Sequence, residues 1–444
     1  MGCECIPFFM RLIIYISLIL NSIALGQDTT HVTIDTLPIQ ELTSVVVIRP
    51  MMLVRMETTR YSVISKKEIE EMQANDVGDI LQKLEGVNLK SYGGLGGMKT
   101  ISVRSLGSQH SAIVVDGFSV QNSQTGQVNL AQLQTNNLEL ISLGVGDQVG
   151  YLIPVSSQIA GNNVLLETFE MSFPNYNDSL QIRSSARMGS FGQLNAYVAA
   201  KVKIKKGFVS GFGNYRLANG LYKYSIENGT LSETLIRSNN DYQDQYFGGV
   251  AGYEFMNSTR VRVNYKQSKI DQGLPGAVIF YNNSADERLT TADQSLATDV
   301  RFRIGHGLYA RGYLNGNVNN MRYFDPTYFN SAGKVDVTYL NRNLNAGLVA
   351  SGHRVKDGYH IYNQTYIFGA EGGLSDLASS DSIFASPVRQ QISVIVGARI
   401  KVGPFQLNGH VSGQFVHESN QTGDAGKNVV GVNPYFSLES KESG

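Results

Sequence analysis

The stretch ISVRSLGSQHSAIVVDG, Ile101–Gly117, decides how the chain reads. It holds two apolar runs, Ile101–Val103 and Ala112–Val115, separated by a polar turn carrying Gly107. The second run closes on Asp116-Gly117, a dipeptide that tolerates positive φ and so predicts a tight turn. Upstream, Lys66–Glu85 predicts two short helices. Ser65 caps the first, with Glu68 three residues on as its capping-box partner. Val77, Ile80, Leu81 and Leu84 recur at helical spacing, and Gly86 stops the second helix. Together these make a small α+β unit.

Its motifs, in order, are Glu85-Gly86-Val87, a glycine-rich loop over Tyr92–Gly97, Ile101-Ser102-Val103-Arg104-Ser105, and Val115-Asp116-Gly117. In that order and spacing the segment resembles the plug domain of TonB-dependent outer-membrane receptors. Ser105 stands where the family usually has Gly, so the turn after Arg104 is expected to differ. The resemblance implies a plug motif at Gly86, Arg104, Asp116 and Gly117. It also implies an apical loop that faces the ligand, with Tyr92 and Met98 as candidates. Further strands follow at NNLELISLGV, Asn136–Val145, and at Ala160–Thr168, where plug domains of this family end.

Composition agrees with a β protein. The 444 residues carry 46 Gly and 23 Tyr, no Trp, and only 17% charged residues. Lys+Arg and Asp+Glu both number 37, which argues against nucleic acid as a partner. The N-terminus reads as an export leader: Arg11, an apolar run Leu12–Leu20, then Ala24-Leu25-Gly26. The run is too short for a membrane anchor, which needs roughly 20 apolar residues. Cleavage after Gly26 would remove Cys3 and Cys5, leaving no thiol for a disulfide or metal site.

Between Pro38 and Pro50 lies one β-prone segment with no hairpin partner nearby, suited to adding itself to another protein's sheet edge. In the receptor family this position holds the TonB box, gripped by a periplasmic energy transducer. The box is placed at Glu41, Leu42, Thr43, Ser44, Val45, Val46, Val47 and Ile48. A rival at Asp35–Ile39 is interrupted by Pro38, and a plain linker strand is the bland alternative.

From about Ser179 the pattern becomes strict alternation. Ala196, Val198, Ala200, Val202 and Ile204 interleave with Asn195, Tyr197, Lys201, Lys203 and Lys205. Val261, Val263 and Tyr265 do so with Arg260, Arg262, Asn264 and Lys266. Phe405, Leu407, Val411 and Phe415 oppose Gln406, Asn408, His410, Ser412 and Gln414. Strands of about ten residues with one apolar and one polar face suit a transmembrane barrel. Soluble sandwiches use strands nearer five or six. Long polar connections are expected at Gly220–Asp241, Ser268–Ala297 and Tyr323–Lys334, with Tyr323 and Tyr328 as ligand-facing candidates. Leu274-Pro275-Gly276 and the Tyr323, Phe324, Tyr328, Phe329 cluster resemble cobalamin-type receptors of the family.

Catalytic chemistry finds no foothold in the sequence. Gly93–Thr100 lacks the Gly-Lys step of a phosphate loop, the seven histidines form no ligand pair, and no G-x-S-x-G elbow occurs. Asp286 and Glu287 are neighbours whose side chains point apart in extended chain. No enzyme activity, cofactor or metal is expected.

The expected architecture is a β-rich membrane protein: a small α+β plug domain followed by an antiparallel transmembrane β-barrel. It divides into a signal peptide at 1–26, the TonB-box segment and linker at 27–56, the plug at 57–170, and barrel strands at 171–444. Outer-membrane transporters of this class have 22 strands, whereas the residues after Ser179 allow roughly 13. An incomplete barrel is therefore expected. The expected function is energy-coupled uptake of a scarce small-molecule ligand across the bacterial outer membrane, with a TonB-type transducer and the lipid bilayer as partners. The alternative is a passive porin-like or surface-binding barrel with a structural N-terminal domain. Export predicts a mature chain starting at Gln27; its intact mass measures this, and a retained Cys3 or Cys5 refutes the leader.

Overall fold

A computed structural model describes residues 61–440, apart from 94–95, 123, 146–151, 173–178, 256–258, 279–284, 306, 331–332, 357–361, 382–383, 404 and 421–425. The leader and the segment Glu41–Ile48 lie outside the described residues.

The N-terminal unit starts with β1 (Tyr61–Ser65), α1 (Lys66–Met72) and α2 (Val77–Leu81). The Glu68 carboxylate accepts from the Ser65 amide and hydroxyl, both at 2.7 Å, which fixes the start of α1. The Asp76 side chain caps α2 by accepting from the Asp79 amide at 3.1 Å. Helix α2 ends at Leu81, one turn before the expected stop, and Gly86 (φ 74°) turns the chain after it. There follow β2 (Val87–Tyr92), β3 (Met98–Val103), β4 (Ser111–Val115), β5 (Phe118–Val120), β6 (Leu138–Val145), α3 (Val155–Ile159) and β7 (Asn162–Thr168). Five of these strands form one sheet in the order β1-β6-β7-β4-β5, with β4 and β7 parallel. Strands β2 and β3 form a separate hairpin. Asp116 (φ 56°) and Gly117 (φ 91°) make the predicted two-residue turn between β4 and β5, pairing Val115 with Phe118. Val77, Ile80, Leu81, Ile101, Ile113, Ile141 and Val164 form the core under that sheet.

Strands β8 (Leu180–Gly189), β9 (Gln193–Ile204), β10 (Gly207–Ala218), β11 (Tyr222–Asn228) and β12 (Leu231–Arg237) follow. Then come β13 (Tyr242–Glu254), β14 (Arg260–Leu274), β15 (Glu287–Gly305), β16 (Leu308–Asn330) and β17 (Gly333–Lys356). The last are β18 (Tyr362–Ser379), β19 (Pro387–Val402), β20 (Phe405–Asn420) and β21 (Lys427–Ser440). All but the β11–β12 hairpin join one twelve-stranded antiparallel sheet running in sequence order from β8 to β21. Among the described residues its two edge strands do not pair with each other.

The alternation read from the sequence is realised with the apolar face outward and the polar face against the N-terminal unit. Val198, Val202 and Ile204 are exposed, whereas Lys201 between them is 1% exposed. Val394 and Val396 are exposed while Ser393 is buried; Phe405, Leu407 and Val411 are exposed while Gln406, Asn408 and Ser412 are buried. A water-soluble sheet would reverse this. An outward apolar belt over a polar inner wall is the arrangement that lipid demands.

The expected long loops need correction. Gly220–Asp241 is mostly the β11–β12 hairpin, and the connection inside Ser268–Ala297 shrinks to 275–286. Tyr323–Lys334 is no loop: β16 and β17 run through it, with an irregularity between Asp325 and Phe329. Polar residues there still alternate, so cross-strand backbone bonds can continue beyond the apolar belt. One end of the sheet nonetheless carries the connections 219–241, 275–286, 380–386 and 421–426, and the other carries brief turns such as 205–206.

An outward Val396→Arg change should lower folding free energy in lipid vesicles by about 2–4 kcal/mol. The plug-side Gln414→Arg should lower it much less. Urea titration of both variants measures the difference, and equal losses would contradict the assignment of faces.

Candidate functional site

The contact between the two units is the functional geometry this chain offers. Asp116 sits at the turn after β4 because that turn needs positive φ, and there it is 1% exposed. Its carboxylate accepts from the Thr168 amide (2.8 Å) and hydroxyl (2.9 Å) of its own unit. It also accepts from the Lys266 ammonium of β14 at 2.9 Å. Beside it, a Cβ on Gly117 would lie 2.9 Å from the Arg311 guanidinium, so this position combines positive φ with close approach. Arg311 donates to the carbonyls of Gly117 (2.7 Å) and Leu152 (3.0 Å) and is held from behind by Asp299, which also pairs with Arg262.

Further contacts ring this one. The Glu371 carboxylate accepts from the Ser156 amide (2.7 Å) and hydroxyl (2.9 Å) at the start of α3. Gln134 reaches Asp244, itself paired with Arg216 at 2.5 Å. Arg183 pairs with Glu139, and Arg187 donates to the Ala74 carbonyl at 2.7 Å. Tyr197 donates to Glu170 at 2.6 Å, and burial pushes that carboxyl above its usual range. Within the plug, burial opposes the charge on Lys99, but hydrogen bonds to Asp76 (2.7 Å) and Asp79 (2.6 Å) outweigh it and hold the ammonium above the ordinary lysine value.

Between the polar contacts runs an apolar seat. Phe118, Leu152, Val155 and Met171 pack on plug-facing Phe208, Val250, Ala297, Tyr313, Val349, Ile367 and Ile395. Sequence reading assigned that face as polar and missed the seat. Its signal is an apolar residue on the polar parity of several successive strands.

The predicted residues fall in different places. Gly86, Asp116 and Gly117 hold turns as expected. Arg104 (φ 49°) and Ser105 (φ 67°) are both left-handed, so the serine departs from glycine where glycine is favoured; Arg104 itself is exposed. Tyr92 and Met98 are cross-strand partners at the tip of the β2–β3 hairpin, and Tyr92 is exposed. That tip reaches the long-connection end: a Cβ on Gly96 would meet the Tyr242 ring at 2.1 Å. Tyr323 is on the plug-facing parity of β16, and Tyr328 is exposed beyond the irregularity. The first pair and the second belong to different walls. Among the described residues no cluster of His, Cys, Asp and Glu suits a metal ion.

Asp116→Ala should destabilise the seated plug by about 3–5 kcal/mol, because it leaves the Lys266 charge buried and unpaired. Asp116→Ala with Lys266→Met should be less harmful than the single change. Protease protection of the plug in denaturant reads both; a double variant worse than the single would refute the coupling.

Residues 54–147 match the family profile described as TonB-dependent Receptor Plug Domain. The chain is 26% identical over 196 residues to the vitamin B12 transporter BtuB of Vibrio vulnificus (strain YJ016), covering 42% of this chain and 31% of that protein. Its fold is similar to that of the copper transporter OprC (TM-score 0.65, 12% identity, 88% of this chain and 61% of that one). It is also similar to the ferric preacinetobactin receptor BauA of Acinetobacter baumannii (TM-score 0.63, 12% identity, 87% and 63%). The chain thus spans less than two thirds of the length of these relatives. Residues 54–147 thus carry a TonB-dependent receptor plug domain, and in its plug and antiparallel sheet the chain is similar to TonB-dependent receptors of the bacterial outer membrane.

Proposed function

We propose that this protein is a receptor for energy-coupled uptake of a scarce ligand, in which a TonB-type transducer pulls on Glu41–Ile48 to displace the plug. One observation carries the reading: the plug is seated through buried polar contacts centred on Asp116, Arg311 and Glu371. A plug fixed so fully against the inner wall disfavours a passive pore. Polar contacts also suit a part that must leave its seat, since the separated groups regain water.

In this reading residues 1–26 are the leader, 27–56 the box and linker, 57–170 the plug, and 171–444 barrel strands. Among the described residues β8 and β21 do not pair with each other, and in this reading their edges meet further strands, because an open edge in hydrocarbon leaves amides unpaired. The ligand enters at the long-connection end, where Tyr92, Met98, Tyr323 and Tyr328 are placed to meet it. The relatives' names support a corrinoid or metal chelate as cargo.

Strand addition draws its affinity from backbone hydrogen bonds. Ser44→Ala should therefore leave uptake near the parent level, whereas Val46→Pro removes an amide donor and should abolish it. Surface binding and energy-dependent uptake, measured separately in cells, should show binding kept and uptake lost in Val46→Pro. Uptake at the parent level would remove the box from this segment and favour the passive reading.

A further inference from the structure

The plug-facing wall of β16 and β17 carries three cross-strand asparagine pairs in consecutive register: Asn315 with Asn345, Asn317 with Asn343, and Asn319 with Asn341. Directly opposed side chains on one face of an antiparallel pair are neighbours, so the six carboxamides form a continuous track. Its lowest rung is held by the plug. Asn315 donates to the Ser119 carbonyl at 3.2 Å, and Asn345 donates to the Gln121 side chain at 3.4 Å. The middle rung is bonded within itself, Asn343 to Asn317 at 3.5 Å, and Asn317 also donates to Asp293. On the highest rung, the Asn341 side-chain oxygen has no hydrogen-bond partner although the residue is only 4% exposed.

The residues beside the two lower rungs are short, while the highest rung lies between Asp293 and Leu377. Across β15 the lower two rungs face Ala297 and Ser295, and across β18 they face Gly373 and Ser375. A Cβ on Gly373 would lie 2.7 Å from the Asn345 side-chain oxygen, so β18 leaves space that the amide uses. Above the Arg311 contact, charge on the plug-facing side of these strands has one sign. On the plug-facing parity of β15 (287–297), β16 (313–325), β17 (335–347) and β18 (371–379) there is no lysine or arginine, while Glu287, Asp293, Asp325 and Glu371 are present.

We infer that the asparagine track is the specificity wall for an uncharged ligand rich in amides or hydroxyls, and that it rejects anionic ferric chelates. A carboxamide both donates and accepts, so a row of them matches a neutral ligand offering both kinds of group. On the plug-facing parity of these stretches an anionic chelate would meet Glu287, Asp293 and Asp325 and no cation, which is discrimination by repulsion. This deepens the receptor reading and rests on it for the direction of ligand entry. Corrinoids and neutral oligosaccharides share the required chemistry.

The test uses receptor purified from outer membranes, with binding measured by calorimetry in detergent and no energy source. Cyanocobalamin, maltohexaose and ferric citrate are the probes. One neutral probe should bind and ferric citrate should not; which neutral probe binds separates the two sources. Asn317→Ala with Asn343→Ala should weaken that binding about tenfold or more through lost hydrogen bonds. The single Asn343→Asp variant, close in shape, should weaken it too and serves as the check if the double variant folds poorly. Unchanged affinity in the folded variants overturns the inference, as does binding of ferric citrate alone or of no neutral probe. Neutral-probe binding without energised uptake in cells would instead refute the receptor reading and leave the track standing.

Discussion

Hydrocarbon offers no partner to a backbone amide, and the rest of this structure follows from that constraint. The twelve-stranded sheet satisfies it by antiparallel pairing from strand to neighbouring strand. Outward side chains within the belt must then be apolar, which moves the polar side chains of that stretch to the opposite face. Lys201 is buried where Val202 is exposed, the reverse of a water-soluble protein. An inner wall so rich in charge and amide cannot receive an apolar object alone. The plug meets it with matched polar atoms: Asp116 for Lys266, the Gly117 carbonyl for Arg311, the Ser156 amide for Glu371.

Those matched charges tell how the plug is held. A buried ion pair gains little net stability, because desolvating both ions offsets much of their attraction, yet removing one partner is severe. Asp116 and Lys266 therefore fix where the plug sits more than how tightly. The apolar seat from Phe208 to Ile395 adds adhesion, but it is one residue deep on each strand. A plug positioned by polar groups and held by a thin apolar seat can leave as a unit, since water receives the separated charges. Such a seat suits a component displaced by force in a transport cycle better than a permanent structural core would.

Sequence reading reached local features and missed contacts across long separations. The capping box at Ser65 and Glu68, the turn at Asp116-Gly117 and the period-two strands were legible because each depends on residues close in sequence. Tyr323–Lys334 misled because polar loop composition and polar strand composition look alike where a hairpin leaves the membrane. The seat was illegible for another reason. Val155 and Ile395 meet across 240 positions, and an inward apolar residue on one strand has no meaning until the sheet's register is known. Asp116 was read as a turn residue, and its role toward Lys266 needed the same knowledge. The asparagine pairs belong to this class as well: their spacing of two shows in each strand, but their opposition appears only with the register of β16 on β17.

That opposition has a consequence for coupling. The rung nearest the plug already donates to Ser119 in β5 and to Gln121 just after it, three and five residues beyond the Asp116 lock. A ligand occupying the upper rungs contacts Asn317 and Asn343, which are bonded to each other and adjoin that rung. Ligand and plug thus draw on one row of carboxamides, and any rearrangement of the row on binding is felt at the plug's outer contact. By linkage, a plug position that alters the lowest rung must alter ligand affinity by the same factor. The track gives the ligand and the plug a shared set of hydrogen-bonding groups.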